Sequence, residues 1–192
     1  MKKVLVIDNY DSFTYNLVHI LRELGMSEQM EVHRNDKISV EYADNFEHIL
    51  LSPGPGLPKD AGIMPDVIKR FSATKNILGV CLGHQGISEN FGGTLFNLAQ
   101  VFHGVATKAL LTDVEDKLFA GLPKEFMVCR YHSWAVEPSN IPADLHITAL
   151  DEEGNVMAVK HKEFNVRGVQ FHPESIMTEH GIQMINNWLS IN

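Results

Sequence analysis

Short apolar runs recur along the first half of the chain and predict buried strands. They span residues 4–7, 30–33, 49–52 and 77–80. Between them, apolar residues return at helical spacing. Such positions are Phe13, Leu17, Ile20, Leu21 and Leu24 in one segment, and Met64, Val67, Ile68 and Phe71 in another. Strands that alternate with helices over residues 1–92 favour βαβ units, and therefore a parallel sheet with helices on both faces.

The second half changes to short strands, predicted at residues 94–96, 106–111, 126–131, 145–150, 156–160 and 166–171. A Glu-Glu-Gly-Asn tetrapeptide at 152–155 is typical of a hairpin turn. Apolar residues from Ile182 to Leu189 predict a closing helix. The sequence therefore predicts an α/β fold: a mostly parallel, doubly wound sheet flanked by helices, with a β-rich second half, in a single domain over residues 1–192.

Composition narrows the class of protein. The 192 residues are 44% hydrophobic and 21% charged, and the formal net charge is −8. This negative balance argues against a general binder of nucleic acid or of anionic membranes. The two cysteines, Cys81 and Cys129, form no CxxC pattern, which suits a reducing compartment. The apolar run at 4–7 is too short for a signal-peptide core or a membrane span, so we expect a soluble, cytoplasmic protein.

Cys81 stands at a sharp predicted junction between a buried strand and a helix that begins at Leu82. The flanking sequence Gly79-Val80-Cys81-Leu82-Gly83 has the form of a nucleophile elbow, with cysteine in place of serine. Glycines two residues on either side leave room at such a crowded turn. The first N–H groups of the following helix can face an oxyanion, and its dipole favours a negative charge. A buried, inert thiol is the alternative, and the elbow pattern favours a nucleophile.

His172 and Glu174 are the candidate partners of this thiol. They lie two residues apart around Pro173, at the end of a predicted strand, and positions two apart in an extended chain share a face. Glu174 could orient one ring nitrogen of His172 and leave the other free for a thiol. Cysteine, histidine and glutamate then form a nucleophile, a base and a group that orients the base.

A Ser52-Pro53-Gly54-Pro55-Gly56 loop follows another buried strand, at the sheet edge that carries Cys81. Alternating proline and glycine makes a stiff loop whose N–H groups can approach a ligand and donate to an oxyanion together with the N–H of Leu82. A plain turn is equally compatible with the loop alone. The loop does not match the dinucleotide fingerprint G-x-G-x-x-G.

The C-x-x-H spacing of Cys81 and His84 lacks the second ligand pair of zinc templates, so no metal site is predicted.

Together, the glycine loop, the elbow through Gln85 and the Phe171–Ser175 block, residues 171–175, resemble the class I, or triad-type, glutamine amidotransferases. The N-terminal Asp-Asn-Tyr-Asp-Ser-Phe stretch at 8–13 and the Arg-Tyr-His-Ser stretch at 130–133 are most similar to the amidotransferase subunits of anthranilate and aminodeoxychorismate synthases. The resemblance covers nearly the whole chain. It implies a flavodoxin-like, three-layer fold.

The resemblance also implies roles for individual residues. Cys81, His172 and Glu174 would be catalytic. Glutamine would be held by Gly54, Pro55, Gly56, Leu82, Gln85, Ser133 and Trp134, the last standing where leucine is usual in the family. Glutamine would be hydrolysed through a thioester on Cys81, and the ammonia would pass to a chorismate-using synthase subunit in a hetero-oligomer. No cofactor is implied on this chain, and Mg²⁺ is expected on the partner synthase.

The resemblance leaves two branches of chorismate chemistry open, anthranilate and aminodeoxychorismate synthesis, and a different class of function remains an alternative to both. Gly56 followed by Leu57-Pro58, with Met64-Pro65-Asp66 further on, looks more like the anthranilate type, because the aminodeoxychorismate type often has cysteine in place of Gly56. Some subunits of this kind serve both synthases. A stand-alone γ-glutamyl hydrolase of the same fold is the alternative from another class of function.

Overall fold

The computed structural model describes residues 2–191; Met1 and Asn192, the ends of the predicted domain, lie outside the described residues. The elements agree with the predicted strands and helices to within a few residues. The strands are β1 Val4–Asp8, β2 Met30–Arg34, β3 His48–Leu51, β4 Asn76–Val80, β5 Leu95–Asn97, β6 Val105–Leu111, β7 Glu125–Arg130, β8 Trp134–Val136, β9 Leu145–Leu150, β10 Val156–His161 and β11 Val166–Val169. The α-helices are α1 Thr14–Glu23, α2 Met64–Phe71, α3 Leu82–Asn90 and α4 Gly181–Ser190.

A nine-stranded sheet runs through the described chain in the order β2-β1-β3-β4-β11-β10-β9-β6-β7. The first five strands of this order are parallel, and the remaining strands add to β11 in antiparallel fashion. The parallel strands β4 and β11 lie side by side, so their carboxyl ends place residues 81 and 170 onward at one edge. The predicted α/β fold with a β-rich second half is confirmed. That the whole chain is one domain stays a prediction.

Helices cover both faces of the parallel strands, as the uninterrupted apolar runs require. Val4 and Val6 of β1 pack on one face with α1 and α4, whose buried residues include Leu17 and Trp188. Leu5 and Ile7 alternate with them and face α2 and α3. All four β1 residues are fully buried, which explains why this strand shows no polar alternation. No helix among residues 2–191 has the length and apolar character needed to cross a membrane.

One strand in the second half behaves differently from the expectation. The strand predicted at 94–96 forms as β5 but lies outside the large sheet and pairs with β8 in a separate two-stranded sheet. Strand β8 was not predicted from the sequence. Its pairing brings Trp134 opposite Asn97 and holds the chain that follows β7 over the carboxyl edge of the large sheet.

Candidate active site

Cys81 lies at the elbow between β4 and α3, where the chain reverses direction without a loop. Its φ angle of 51° falls in a region that non-glycine residues rarely adopt, and its side chain is buried but reaches a cavity. The flanking glycines are needed for space. A Cβ atom on Gly79 would lie 2.4 Å from the backbone carbon of Gly83, and one on Gly83 would lie 2.7 Å from Leu51.

This crowding predicts that Gly79→Ala destabilises the fold. Because the Cβ atom would meet backbone rather than a movable side chain, we expect a loss of about 3 kcal/mol or more in the free energy of unfolding. Gly154→Ala is the control: that glycine has a φ of 85°, which strains an alanine, but no atom lies within 4 Å of an added Cβ. It should cost about 1 kcal/mol. Urea unfolding measures both, and equal losses would contradict the packing argument.

His172 and Glu174 are in direct contact: the ring Nδ1 lies 2.7 Å from Glu174 Oε1, and both side chains are buried. The predicted contact is present, but its predicted cause was wrong. Strand β11 ends at Val169, and the N–H of Ser175 donates to the carbonyl of His172, so the two residues sit on a turn and not on an extended strand. The ring nitrogen Nε2 of His172 is buried and has no hydrogen-bond partner among the described residues.

The surroundings of His172 favour its protonated form. Burial by itself disfavours the imidazolium, but the Cys81 sulphur and the Glu174 carboxylate outweigh burial and raise the pKa of His172 to about 10. Two aromatic rings also enclose the imidazole, since the ring centroids of Phe13 and Tyr131 each lie 5.2 Å from it. The site therefore joins a cysteine at an elbow to an oriented imidazole that can take up and release a proton, which is the arrangement of a cysteine nucleophile with its acid–base partner.

A cavity of about 270 Å³ opens above Cys81. Six of the seven predicted substrate-binding residues line it with the thiol: Gly54, Gly56, Leu82, Gln85, Ser133 and Trp134. Pro55 does not line it and instead faces a neighbouring depression beside Tyr10 and Asp36. Tyr131 and His132 line the cavity as well, and sequence reasoning assigned neither to the site.

The glycine loop is held from below by a buried hydrogen-bond network. The backbone N–H of Asn9 donates to Ser52 Oγ at 2.8 Å, and its side-chain amide donates to the Ser52 carbonyl at the same distance. Asn35 donates in turn to the Asn9 side-chain oxygen. Gly56 has a φ of 76°, a conformation open to glycine. The N-terminal stretch at 8–13 therefore supports the site through Asn9 and Phe13.

The segment at 132–134 is fixed by a buried ion pair. Arg130, 1% exposed, pairs with Asp151 at 2.7 Å and donates through Nε to His132 Nε2 at 3.0 Å. Because Arg130 can only donate, that ring nitrogen is the acceptor, and Nδ1–H donates to the Trp134 carbonyl at 2.8 Å. Burial, with the Arg130 charge adding to it, lowers the pKa of His132 to about 3, so this ring stays neutral. The Arg130–Asp151 ion pair was not predicted from the sequence. The signal that could have indicated it is a charged residue, Arg130, at the end of the largely apolar strand β7.

Buried histidines that stay neutral in the folded chain make the free energy of unfolding depend on pH. Burial lowers the pKa of His48 to about 4, below its ordinary value of 6.5. A group of this kind is neutral in the folded chain and protonated in the unfolded chain between those values. Its contribution is complete above pH 6.5 and is lost as the pH falls towards 4. His172 acts in the opposite window: its contribution is complete below pH 6.5 and is lost as the pH rises towards 10.

We therefore expect His48→Phe to weaken the acid sensitivity of folding. The phenyl ring can keep the edge-on contact with Trp188, whose ring centroid lies 5.3 Å away. Between pH 6 and 5, the free energy of unfolding should fall less steeply than in the unmodified chain, by about 1.4 kcal/mol per pH unit for one proton. Urea unfolding at several pH values measures the slope. His19→Gln, at a side chain 70% exposed, is the control. Identical slopes for His48→Phe and the unmodified chain would contradict the prediction.

The fold, together with the elbow thiol and its histidine and carboxylate, defines a class of enzyme with a cysteine nucleophile on a parallel α/β sheet. Comparison with known proteins identifies the family. The family model described as glutamine amidotransferase class-I matches residues 5–191, and the chain belongs to this family. It is 45% identical to the bifunctional protein TrpGD of Thermotoga maritima over all of this chain, which spans 32% of that relative's length. It is 42% identical to the aminodeoxychorismate/anthranilate synthase component 2 of Bacillus subtilis, over 97% of this chain and 95% of that protein.

A solved structure supports the same fold. The crystal structure of a putative GMP synthase subunit from Thermoplasma acidophilum aligns with a TM-score of 0.88 at 28% sequence identity, over 99% of this chain and 93% of that one. The resemblance stated from the sequence motifs is therefore confirmed at the level of the family.

Proposed function

We propose that this chain is the glutamine amidotransferase subunit of a chorismate-using synthase, most closely of the anthranilate type. It would release ammonia from glutamine through a thioester on Cys81 and deliver it to a separate synthase subunit. The observation that carries the proposal is the Cys81 thiol on the floor of a 270 Å³ cavity, beside a His172 ring oriented by Glu174 at 2.7 Å.

The chemistry follows from these groups. His172 takes the proton of the Cys81 thiol, the sulphur attacks the side-chain amide carbon of glutamine, and the carbonyl oxygen becomes an oxyanion. The N–H of Leu82, among the first of α3 and without a partner in the helix, would stabilise it together with the N–H of Gly56. His172 passes a proton to the departing nitrogen, and ammonia leaves. Water, deprotonated by His172, then cleaves the thioester to glutamate and regenerates the thiol. This cysteine chemistry needs no metal or organic cofactor on this chain.

The hydrogen bonds of Gln85 indicate how the α-ammonium group of the substrate would be bound. Both N–H bonds of its amide are in use, because Nε2 donates to the Trp134 carbonyl at 2.8 Å and to Gln170 Oε1 at 3.2 Å. The Gln85 oxygen is then the group left for a ligand, and as an acceptor it suits the α-ammonium of glutamine. Ser133 and Trp134, across the cavity, would meet the α-carboxylate through backbone N–H groups.

The branch of chorismate chemistry is proposed from the sequence and the relatives. The Bacillus relative is named for both the aminodeoxychorismate and the anthranilate synthases. Gly56, where the aminodeoxychorismate type often has cysteine, favours the anthranilate type. Aminodeoxychorismate synthesis, alone or shared, is the alternative within the same chemistry.

The test combines the purified chain with each chorismate-using synthase of its own organism, glutamine, chorismate and Mg²⁺, the last serving the synthase. Anthranilate as product supports the proposal; aminodeoxychorismate shifts it to folate synthesis, and both products indicate a shared subunit. If neither forms, while the chain alone hydrolyses glutamine or γ-glutamyl peptides, the function is that of a stand-alone hydrolase and the proposed partnership is wrong.

A further inference from the structure

Gln170 is a fully buried polar side chain in contact with the nucleophile. Its amide Nε2 lies 3.5 Å from the Cys81 sulphur, in donor geometry, and its exposure is 0%. Its oxygen Oε1 accepts from Gln85 Nε2 at 3.2 Å. Its backbone N–H donates to the Met157 carbonyl, which anchors the residue just beyond the end of β11. A buried amide has to satisfy its hydrogen bonds, and here one of them ends on the reacting atom.

The direction of this amide is determined by its neighbours. The carbonyl oxygen of Trp134 can only accept, so the Gln85 amide must turn its N–H₂ group towards it. The same nitrogen then faces Gln170, which must present its oxygen. The Gln170 nitrogen is therefore left facing the sulphur of Cys81. The opposite orientation would place two oxygens or two nitrogens against each other.

The Trp134 carbonyl, where this chain of hydrogen bonds begins, is itself fixed by further hydrogen bonds. It also accepts from His132 Nδ1, and the tautomer of that ring is set by Arg130, which is paired with Asp151. Hydrogen bonds thus run without interruption from the buried ion pair to the Trp134 carbonyl, and from there through two glutamine amides to the sulphur. None of these steps depends on an exposed, mobile side chain.

We propose that Gln170 is a further catalytic residue, whose amide N–H donates to the Cys81 sulphur and stabilises its anionic form for attack. The role rests on the proposed glutaminase reaction at Cys81. A hydrogen bond to a charged atom in a buried site favours the charged form, and thiolate is the reactive form of cysteine. Gln170 keeps both amide protons throughout the reaction, so proton transfer stays with His172. Gln170 also ties the nucleophile to the segment that lines the substrate cavity.

Gln170→Met tests the donor, because methionine has similar length but no N–H. The measurement is the rate at which iodoacetamide alkylates the thiol as a function of pH, with Cys81→Ser supplying the background from Cys129. We expect alkylation at pH 7 to be about tenfold slower than in the unmodified chain, with the rate profile displaced by about one unit towards higher pH. An unchanged profile in a folded Gln170→Met protein would overturn the proposal.

Steady-state kinetics separate this role from mere packing. Gln170→Met should lower kcat for glutamine about tenfold with little change in KM, because the lost contact is made to the sulphur. Gln85→Met, one step further along the hydrogen-bond chain, should mainly raise KM, because it faces the substrate cavity. If the two variants show the same pattern of kcat and KM, Gln170 acts as a structural residue only and the proposal fails.

Gln170→Glu keeps the inference testable if the methionine variant does not fold. The carboxylate can still accept from Gln85, but it replaces the donor beside the sulphur with a negative charge, so alkylation at pH 7 should slow by more than tenfold. A folded Gln170→Glu protein that alkylates at the unmodified rate would overturn the proposal. Alkylation needs neither glutamine nor a synthase. The expected shift of the alkylation profile in a chain that cannot hydrolyse glutamine even when combined with the synthase would therefore refute the proposed function and leave the contact with the thiol standing.

Discussion

Replacing Cys81 by serine is expected to abolish glutamine-dependent synthesis by the assembled synthase, with a loss of about 10⁴-fold or more. Ammonia-dependent synthesis by the same assembly should be retained. Serine fills nearly the same space at the elbow, so the cavity is preserved while the acyl intermediate can no longer form at a useful rate. The measurement is the rate of product formation from chorismate, first with glutamine and then with an ammonium salt at a pH that supplies free ammonia.

Cys129→Ala is the matched control, since Cys129 is the other buried, free cysteine and lies outside the cavity. It should leave both nitrogen sources usable. If Cys81→Ser lowers the glutamine and ammonia rates together, Cys81 supports the assembly and not the release of ammonia. If it lowers neither, the nucleophile is wrongly assigned.

The layered core was predictable because its signal is local. The runs in β1, β3 and β4 are apolar at almost every position, which in a strand indicates burial on both faces, and helical spacing marked α1, α2 and α4. The small β5–β8 sheet was harder. Three residues carry almost no periodicity, and β8 forms because pairing with Leu95–Asn97 satisfies its backbone. Long-range pairing of that kind leaves no trace in the spacing of residues.

The residues of the candidate site also fall into those that local sequence could predict and those that it could not. The elbow was visible because glycine spacing reports a steric need of the adjoining chain. His172 and Glu174 were visible because they are two residues apart, although a turn and not a strand brings them together. Gln170 was not, since its contact with Cys81 spans 89 positions and depends on β4 lying beside β11. A glutamine within a buried apolar run was the one available signal.

Replacing Glu174 by glutamine is expected to lower kcat for glutamine hydrolysis about 10²- to 10³-fold with little change in KM. Glutamine keeps the shape of the side chain and can still accept from His172 Nδ1, but it removes the charge that stabilises the imidazolium. The pKa of His172, which in the intact site is raised to about 10 by Cys81 and Glu174 against the effect of burial, should therefore fall. The alkaline limb of the pH–rate profile should move to lower pH, because the imidazolium that protonates the leaving nitrogen is lost earlier.

Two further variants make this expectation specific. Glu174→Ala removes the acceptor as well as the charge and frees the ring to rotate, so its loss in kcat should exceed that of Glu174→Gln. Glu179→Gln, on the same loop but exposed and bonded to the backbone of Met127, should leave the profile in place. An alkaline limb that stays where it was in Glu174→Gln would show that the carboxylate does not set the protonation of His172. Orientation of the ring would then be the whole contribution of Glu174.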